Sequence, residues 1–254
     1  MSNRMKTLIA VLACSVSALA AAPAAMADPP TGIGPVDTIY GSLTGGITSH
    51  KFACDENNED VQKIIQGVRD NLTNSFPDIT TMIARGYLPY FDAVMFGASG
   101  RQGHWINSAY MEDGHTMDPS RPEAILTDRW NRPIGVMFIE DDPSIPGPNI
   151  YVNEDGVPCN AWHYHSEITA DSYWWLYSYL YHGQVQNDGQ VEPDDRSPDL
   201  MHVWRYGDYQ YQWTHAAPPA DQMPGDPGPT DLPCIVSGVR IPQSPYPCNP
   251  AKNS

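Results

Sequence analysis

The sequence predicts an α+β protein in which N-terminal helices are followed by an antiparallel sheet or a small β-barrel, with many loops. Apolar residues recur every three or four positions from Val61 to Leu72, which is the spacing of an amphipathic helix. Later in the chain they fall instead into short β-branched or aromatic runs bounded by Gly, Pro, Asn and Asp, a pattern typical of strands joined by turns. The 25 prolines and 20 glycines among 254 residues predict the high loop content.

Two helices are predicted near the start of the domain. Asp55 or Asn57 is expected to cap the first helix, and Pro77 interrupts it. Asp78 can cap a second helix, which is expected to end at Gly86 because glycine suits the backbone of a helix C-terminus. The predicted inner face of this second helix consists of Ile79, Met82 and Ile83. The aromatic and apolar segment 87–96 is interpreted as a further helix.

The predicted strands lie in the second half of the chain. They are the runs 134–140, 149–152, 162–168 and 200–206. The aromatic run 172–181 fits either a buried strand or a helix, and the polar, acidic stretch 184–198 is predicted to be a loop. The proline-rich tail from residue 216 onward is expected to be irregular.

The first 27 residues have the pattern of an export signal. Basic residues precede an apolar run, and Ala25 and Ala27 supply the small side chains of a signal peptidase site. We expect cleavage after Ala27, which leaves residues 28–254 as a single secreted domain. An extended arm over residues 28–50 is expected to start that domain. No other segment offers the roughly 20 consecutive apolar residues that a membrane-spanning helix needs.

The cysteines predict two disulfide bonds. Cys14 lies in the export signal, where a lipoprotein box that would tether the protein to a membrane is the competing interpretation. The four others, in an oxidising compartment, allow three pairings. We favour Cys54 with Cys159 and Cys234 with Cys248, because the second pair closes a short proline-rich loop.

The chain is strongly acidic, with 14 Lys and Arg against 30 Asp and Glu and a formal net charge of −16. This balance argues against nucleic-acid binding, which needs clustered cations to displace counterions. The 41% hydrophobic content predicts a packed core rather than a disordered chain. The expected partner is a metal ion or a small molecule, and the oligomeric state stays open.

The segment WHYHSE, residues 162–167, carries the strongest chemical signal. If it runs as a strand, then His163, His165 and Glu167 share one face, opposite the intervening aromatic residues. Two imidazoles and a carboxylate form a ligand set for a divalent transition metal, with Zn, Fe, Mn and Cu not distinguished. The competing interpretation is that both histidines lie in the core and bond to backbone carbonyls.

Two further histidines are candidate ligands. His202 lies inside the apolar run 201–204, where a buried neutral imidazole needs partners for both ring nitrogens. His104 comes after a glycine-rich turn, and the glycine before it, Gly103, lets the backbone approach a ligand closely. The predicted mononuclear site has four histidine ligands, and a glutamate as a further ligand or as a base beside the metal: His163, His165, His202, His104 and Glu167.

Gly156, six intervening residues, the triplet His163-Tyr164-His165 and then Glu167 resemble the first signature motif of the cupin barrels. That motif has Gly, five residues, HxH, three or four residues and Glu, so the glycine here lies one residue further away and the glutamate comes earlier. The resemblance covers only residues 156–167, and a clear second cupin motif is absent. It implies a jelly-roll barrel that holds a metal on HxH, Glu and a later histidine, for which His202 is the candidate.

The predicted function is that of a secreted metal-binding protein. Three protein ligands plus a water would permit oxygenase or hydrolase chemistry, whereas four closed ligands would make a structural protein or a metal carrier. The chain lacks a GxSxG nucleophile elbow, an HExxH helix and a P-loop. A different function is that of a non-catalytic cell-envelope module that stacks sugar rings on the aromatic side chains of residues 172–181.

Overall fold

The computed structural model describes residues 47–49, 54–90, 103–140, 145–165, 199–213, 217–242 and 244–254, with only the backbone for 47–49 and 165. The helices are α1 (Glu59–Asn74), α2 (Ile79–Ala84) and α3 (Ser108–Met111). The strands are β1 (Ile47–Ser49), β2 (Leu88–Pro89), β3 (Gly103–Ile106), β4 (Ala124–Thr127), β5 (Pro133–Ile139), β6 (Tyr151–Val152), β7 (Pro158–Cys159), β8 (His163–His165), β9 (Leu200–Trp204), β10 (Ile235–Val236) and β11 (Val239–Arg240). The protein is therefore mixed α+β and rich in loops, as predicted.

One sheet dominates the described part of the chain. Seven strands follow the order β1-β8-β9-β5-β4-β3-β2, and every neighbouring pair is antiparallel. Strands β6 and β7 form a separate hairpin, and so do β10 and β11. The register pairs His104 with Leu126, Leu126 with Gly135, and Met137 with His202. These pairs place His104 and His202 on the same face of the sheet.

The register divides the central strands into two faces. The helix face carries Trp105, Ile125, Val136, Phe138, Met201 and Val203. Helix α1 packs on this face, and together they form the larger hydrophobic core. The opposite face, here called the histidine face, carries His104, Ile106, Leu126, Gly135, Met137, Ile139, His202 and Trp204. Its apolar members belong to a second buried cluster, so the central strands are covered on both sides.

Helix α1 forms where the apolar periodicity predicts it, but its cap is Asn58, and the expectation of Asp55 or Asn57 is wrong. The Asn58 side chain accepts hydrogen bonds from the backbone N–H groups of Asp60, at 2.9 Å, and Val61, at 3.4 Å. Asp55 acts one turn earlier and accepts from the N–H of Asn57 at 2.9 Å. Its carboxylate therefore shapes the approach to the helix rather than the first helical turn.

Helix α2 follows the prediction closely. The Asp78 carboxylate accepts from the N–H of Thr81 at 2.8 Å and caps the helix. The inner face is buried and consists of Ile79, Met82 and Ile83. Two residues after the helix, Gly86 has a φ of 92°, a conformation that glycine adopts without the strain a side chain would bring.

Two expectations about the sheet are wrong. Within segment 87–96, Leu88–Pro89 is strand β2 and not helix, because its backbone pairs with β3. The end of the predicted arm, Ile47–Ser49, is strand β1 and pairs with β8. His104 lies within β3. Strands β3 and β4 show no clean alternation of apolar and polar residues, since both faces are covered, and neither is predicted from the sequence.

Both predicted disulfide bonds form, Cys54 with Cys159 and Cys234 with Cys248. The first joins the chain before α1 to strand β7, and the second closes the tail across the β10–β11 hairpin. The tail is otherwise irregular, as predicted, with 3-10 turns at Ala220–Gln222 and Pro250–Lys252. Two disulfides are compatible with an extracytoplasmic protein. Of the helices in the described residues, none has the length and apolarity to cross a membrane.

Candidate functional site

Three histidines from three strands lie side by side on the histidine face. Nε2 of His104, in β3, is 3.4 Å from Nε2 of His202, in β9. The ring of His163, in β8, has its centroid 5.1 Å from that of His202, and the two planes are nearly perpendicular at 79°. His202 therefore stands between His104 and His163.

The contact between His104 and His202 crosses the sheet. Strands β4 and β5 lie between β3 and β9, so a flat sheet would separate those two strands by roughly 14 Å, at about 4.8 Å per strand. Imidazole nitrogens at 3.4 Å require the sheet to curl toward the histidine face. The site is consequently a product of the curvature of the sheet and not of local spacing in the sequence.

The cluster is buried at one end and accessible at the other. The relative accessibility is 1% for His202 and 3% for His163, whereas His104 is only partly buried. A buried polar side chain is stabilised only when its nitrogens have partners. A small ion or molecule that reached the cluster would meet His104 first.

His163 is held in place by the residue before it. The Trp162 indole is fully buried in the larger core and donates from Nε1 to the carbonyl oxygen of Pro148 at 2.8 Å. Its backbone N–H donates to the Asn160 side chain at 3.0 Å. Gly147 lies directly against the indole ring, where any side chain would overlap it. Because strand residues alternate, this anchor on the helix side directs His163 toward the histidine face.

The ring of His202 also contacts a tryptophan. Trp204 lies two residues further along β9 on the same face, and its ring meets that of His202 edge-on at a centroid distance of 5.5 Å and an angle of 77°. Trp204 is fully buried, and its backbone N–H donates to the carbonyl oxygen of Gln212 at 2.8 Å. The indole thus forms one wall of the space around His202.

The remaining predicted residues stand as follows. His165 is part of β8, as the strand prediction requires, and pairs with Ile47. Glu167 and the aromatic run 172–181 lie outside the described residues. Among the residues that are described, no group of three or more His, Cys, Asp or Glu is placed so that it could hold a metal ion. The structure places the rings of His104, His163 and His202 next to one another, but the metal site itself and the roles of His165 and Glu167 remain predictions.

His115 is a useful contrast to these three histidines. Its side chain is 53% exposed and lies in a turn beside Asp113, with Nδ1 2.8 Å from the Asp113 backbone oxygen. Such an arrangement is typical of a solvated surface histidine. It makes His115 a natural control for experiments on the buried cluster.

The chain matches no protein-family model, no curated protein and no solved structure. The function must therefore be inferred from the chemistry of the site.

Two residues that shape the site, Gly135 and Trp204, are not predicted from the sequence. Gly135 lies inside strand β5, where glycine is disfavoured, and a glycine within a strand often marks a place where another group packs close to the backbone. That signal is present in the run IGVMFIE. The sequence does not reveal which group packs there, because Trp204 is far away along the chain.

Proposed function

We propose that this protein binds one divalent transition metal ion through the histidine cluster. His104 and His202 are the first two ligands, and His163 and His165 from β8 complete the imidazole set. Glu167 is proposed as a further ligand or as a base beside the metal. The observation that carries the proposal is the 3.4 Å separation between Nε2 of His104 and Nε2 of His202.

That separation suits a shared metal ion. Two nitrogens each 2.0–2.1 Å from one tetrahedral ion are about 3.3 Å apart. A hydrogen bond between two imidazoles prefers a shorter distance, of about 2.9 to 3.0 Å. The ring centroids of His104 and His163 lie 5.5 and 5.1 Å from that of His202, close to the spacing of about 5 Å expected for imidazoles around one tetrahedral ion.

The surroundings also favour a cation. The formal net charge of −16 gives the protein a field that attracts positive ions. The resemblance of residues 156–167 to the first cupin motif suggests the same type of ligand. Neutral imidazoles suit Zn, Cu, Fe and related ions, so the donor set by itself favours transition metals over Ca or Mg.

We further propose that the site keeps one coordination position for an outside ligand. His104 is partly exposed, so a water or substrate molecule has a route to the ion on that side. Such a position would let the ion activate water or bind a small molecule, as a hydrolase or oxygenase requires. If four protein ligands close the site, the protein is a metal carrier or a structural metalloprotein.

The export pathway belongs to the same proposal. We propose that residues 1–27 are removed by cleavage after Ala27 and that the mature protein is free outside the cytoplasm. A mature mass that includes an acylated Cys14 would instead establish a lipoprotein.

Titration of the metal-free protein with Co²⁺ tests the proposed function, because Co²⁺ reports its coordination through visible absorption. The wild type is expected to take up one equivalent. The double variant His163→Ala/His165→Ala is expected to lose stoichiometric uptake, whereas the control His115→Ala retains it. Unchanged uptake in the double variant would reject the assignment of the strand β8 histidines.

The same sample distinguishes an open from a closed site. Addition of azide to the Co²⁺ protein is expected to shift the visible spectrum, because azide enters the free position. A spectrum that azide leaves unchanged favours the carrier or structural function.

A further inference from the structure

We propose that Gly135 and Trp204 are positioning residues for His202: the missing side chain at Gly135 lets the Trp204 indole lie flat across β5, and the indole holds the His202 ring toward His104. This inference rests on the proposed metal site and adds two residues that do not themselves touch the metal.

The first step is the close approach of Trp204 to the backbone of β5. Gly135 pairs with Trp204 in the sheet register, and both belong to the histidine face. A Cβ atom at Gly135 would lie 2.8 Å from Cε3 of Trp204, closer than real Cβ atoms come to other heavy atoms. It would also lie 3.0 Å from the backbone oxygen of Val203 and 3.3 Å from Cδ1 of Leu126, so an added methyl group has no free space on this side of β5. A side chain at position 135 would therefore lift the indole away from the sheet.

The second step is the contact between the indole and His202. The two rings meet edge-on at 77°, the arrangement in which the electron-rich face of one ring attracts the edge of the other. His202 is one strand over from Met137 and between His104 and His163, so a lifted indole would move into the space that the His202 ring occupies. The imidazole would then turn away from Nε2 of His104.

Trp204 could matter for hydrophobic packing alone or for the orientation of His202, and the two roles have different consequences. Trp204 is fully buried and contributes to the hydrophobic cluster of the histidine face, so its removal must affect stability. If Trp204 positions His202, the orientation of the His202 ring changes in a variant of Gly135 or Trp204 even when the protein stays folded. A smaller ring at position 204 should also make room for a side chain at position 135.

The variant Gly135→Ala tests the proposal, with Gly225→Ala as its matched control because a Cβ at Gly225 meets nothing within 4 Å. We expect Gly135→Ala to weaken Co²⁺ binding by about 10- to 100-fold, the usual effect of disturbing a group that orients a metal ligand. In the metal-free protein, its His202 ring resonances should shift in ¹H–¹⁵N spectra of the imidazoles. The double variant Gly135→Ala/Trp204→Phe should recover most of the lost affinity.

The outcomes are distinct. A folded Gly135→Ala protein with unchanged His202 ring resonances overturns the proposal, whatever happens to the affinity. If Gly135→Ala does not fold, Trp204→Phe alone must shift the same resonances, and their constancy overturns it equally. If the wild type takes up no Co²⁺, the proposed function fails, while the imidazole spectra of the metal-free variants still decide whether Gly135 and Trp204 orient His202.

Discussion

Nε2 of His104 lies 3.4 Å from Nε2 of His202, although two strands of the sheet separate the strands that carry them. The pair meets because the sheet curls toward the histidine face. Burial differs sharply between the two rings, with His202 at 1% relative accessibility and His104 partly exposed. The two residues should therefore respond differently to substitution.

We predict that His104→Ala and His202→Ala both weaken Co²⁺ binding by more than about 100-fold, because each removes a direct ligand. Only His202→Ala should strongly destabilise the metal-free protein, by about 2–4 kcal/mol, since it leaves a cavity beside Trp204. Urea unfolding together with Co²⁺ titration measures both effects. Equal Co²⁺ affinity in His104→Ala and the wild type would mean that His104 is not a metal ligand.

The anchor of His163 gives a second prediction. Gly147→Ala would force a methyl group into the Trp162 indole, so we expect it to destabilise the metal-free protein by about 1–3 kcal/mol. Because Trp162 directly precedes His163, Co²⁺ affinity should fall as well. Thermal unfolding and Co²⁺ titration check the two parts, with Gly225→Ala as the control. Wild-type stability in Gly147→Ala would mean that the indole is not fixed where we place it.

The two disulfides should differ in their contribution to stability. In the chain-entropy view, the Cys54–Cys159 bond, which spans 105 residues, stabilises by about 4.7 kcal/mol, and the Cys234–Cys248 bond, which spans 14, by about 3 kcal/mol. We therefore expect the variant Cys54→Ser/Cys159→Ser to unfold at a lower urea concentration than the variant Cys234→Ser/Cys248→Ser. Only loss of the first bond should also impair Co²⁺ binding, because β7 leads directly into β8. Impaired binding after loss of the Cys234–Cys248 bond alone would contradict this assignment.

Acid should weaken the structure around Asp118. Partial burial raises the pKa of this carboxyl, but hydrogen bonds from the side chain and backbone of Ser120 and the neighbouring Arg121 outweigh it, so the pKa lies below the ordinary 3.8. A lowered pKa in the folded state means that the stabilisation is complete above the unfolded-state pKa. It is lost as the pH falls through the folded-state pKa.

Asp118→Asn should accordingly be less stable than the wild type at neutral pH, and the difference should shrink below about pH 4. Urea unfolding across this range measures the effect. Asp155→Asn, at an exposed position, is the matched control. A stability difference that stays constant with pH would show that the ionised Asp118 carboxylate is not the stabilising group.

Much of the fold can be predicted because the signals are local. The spacing of apolar residues locates α1, Asp78 locates the start of α2, and the run 134–140 corresponds to β5. The cap of α1 differs from the prediction because several Asp and Asn residues precede the helix, and only the geometry selects Asn58. Strands β3 and β4 are not predicted, because a strand that is covered on both faces does not show the alternation of apolar and polar residues.

The histidine cluster can be predicted in composition but not in arrangement. The sequence suggests His163 from the alternation within WHYHSE, His202 because an imidazole in an apolar run needs partners, and His104 because a glycine precedes it. Their proximity depends on which strands become neighbours and on how far the sheet curls, and neither follows from spacing along the chain. The position of Trp204 beside His202 shows the same limit, since Trp204 is paired with Gly135 of the neighbouring strand, far away along the chain.

The proposed function depends on a metal ion in the histidine cluster. Elemental analysis of the protein purified from its native host tests it most directly. We expect one divalent transition metal at a fixed ratio of about one ion per chain, and its loss from the His104→Ala/His202→Ala variant. A native protein that carries no transition metal above the level of its buffer would show that the cluster does not hold a metal ion.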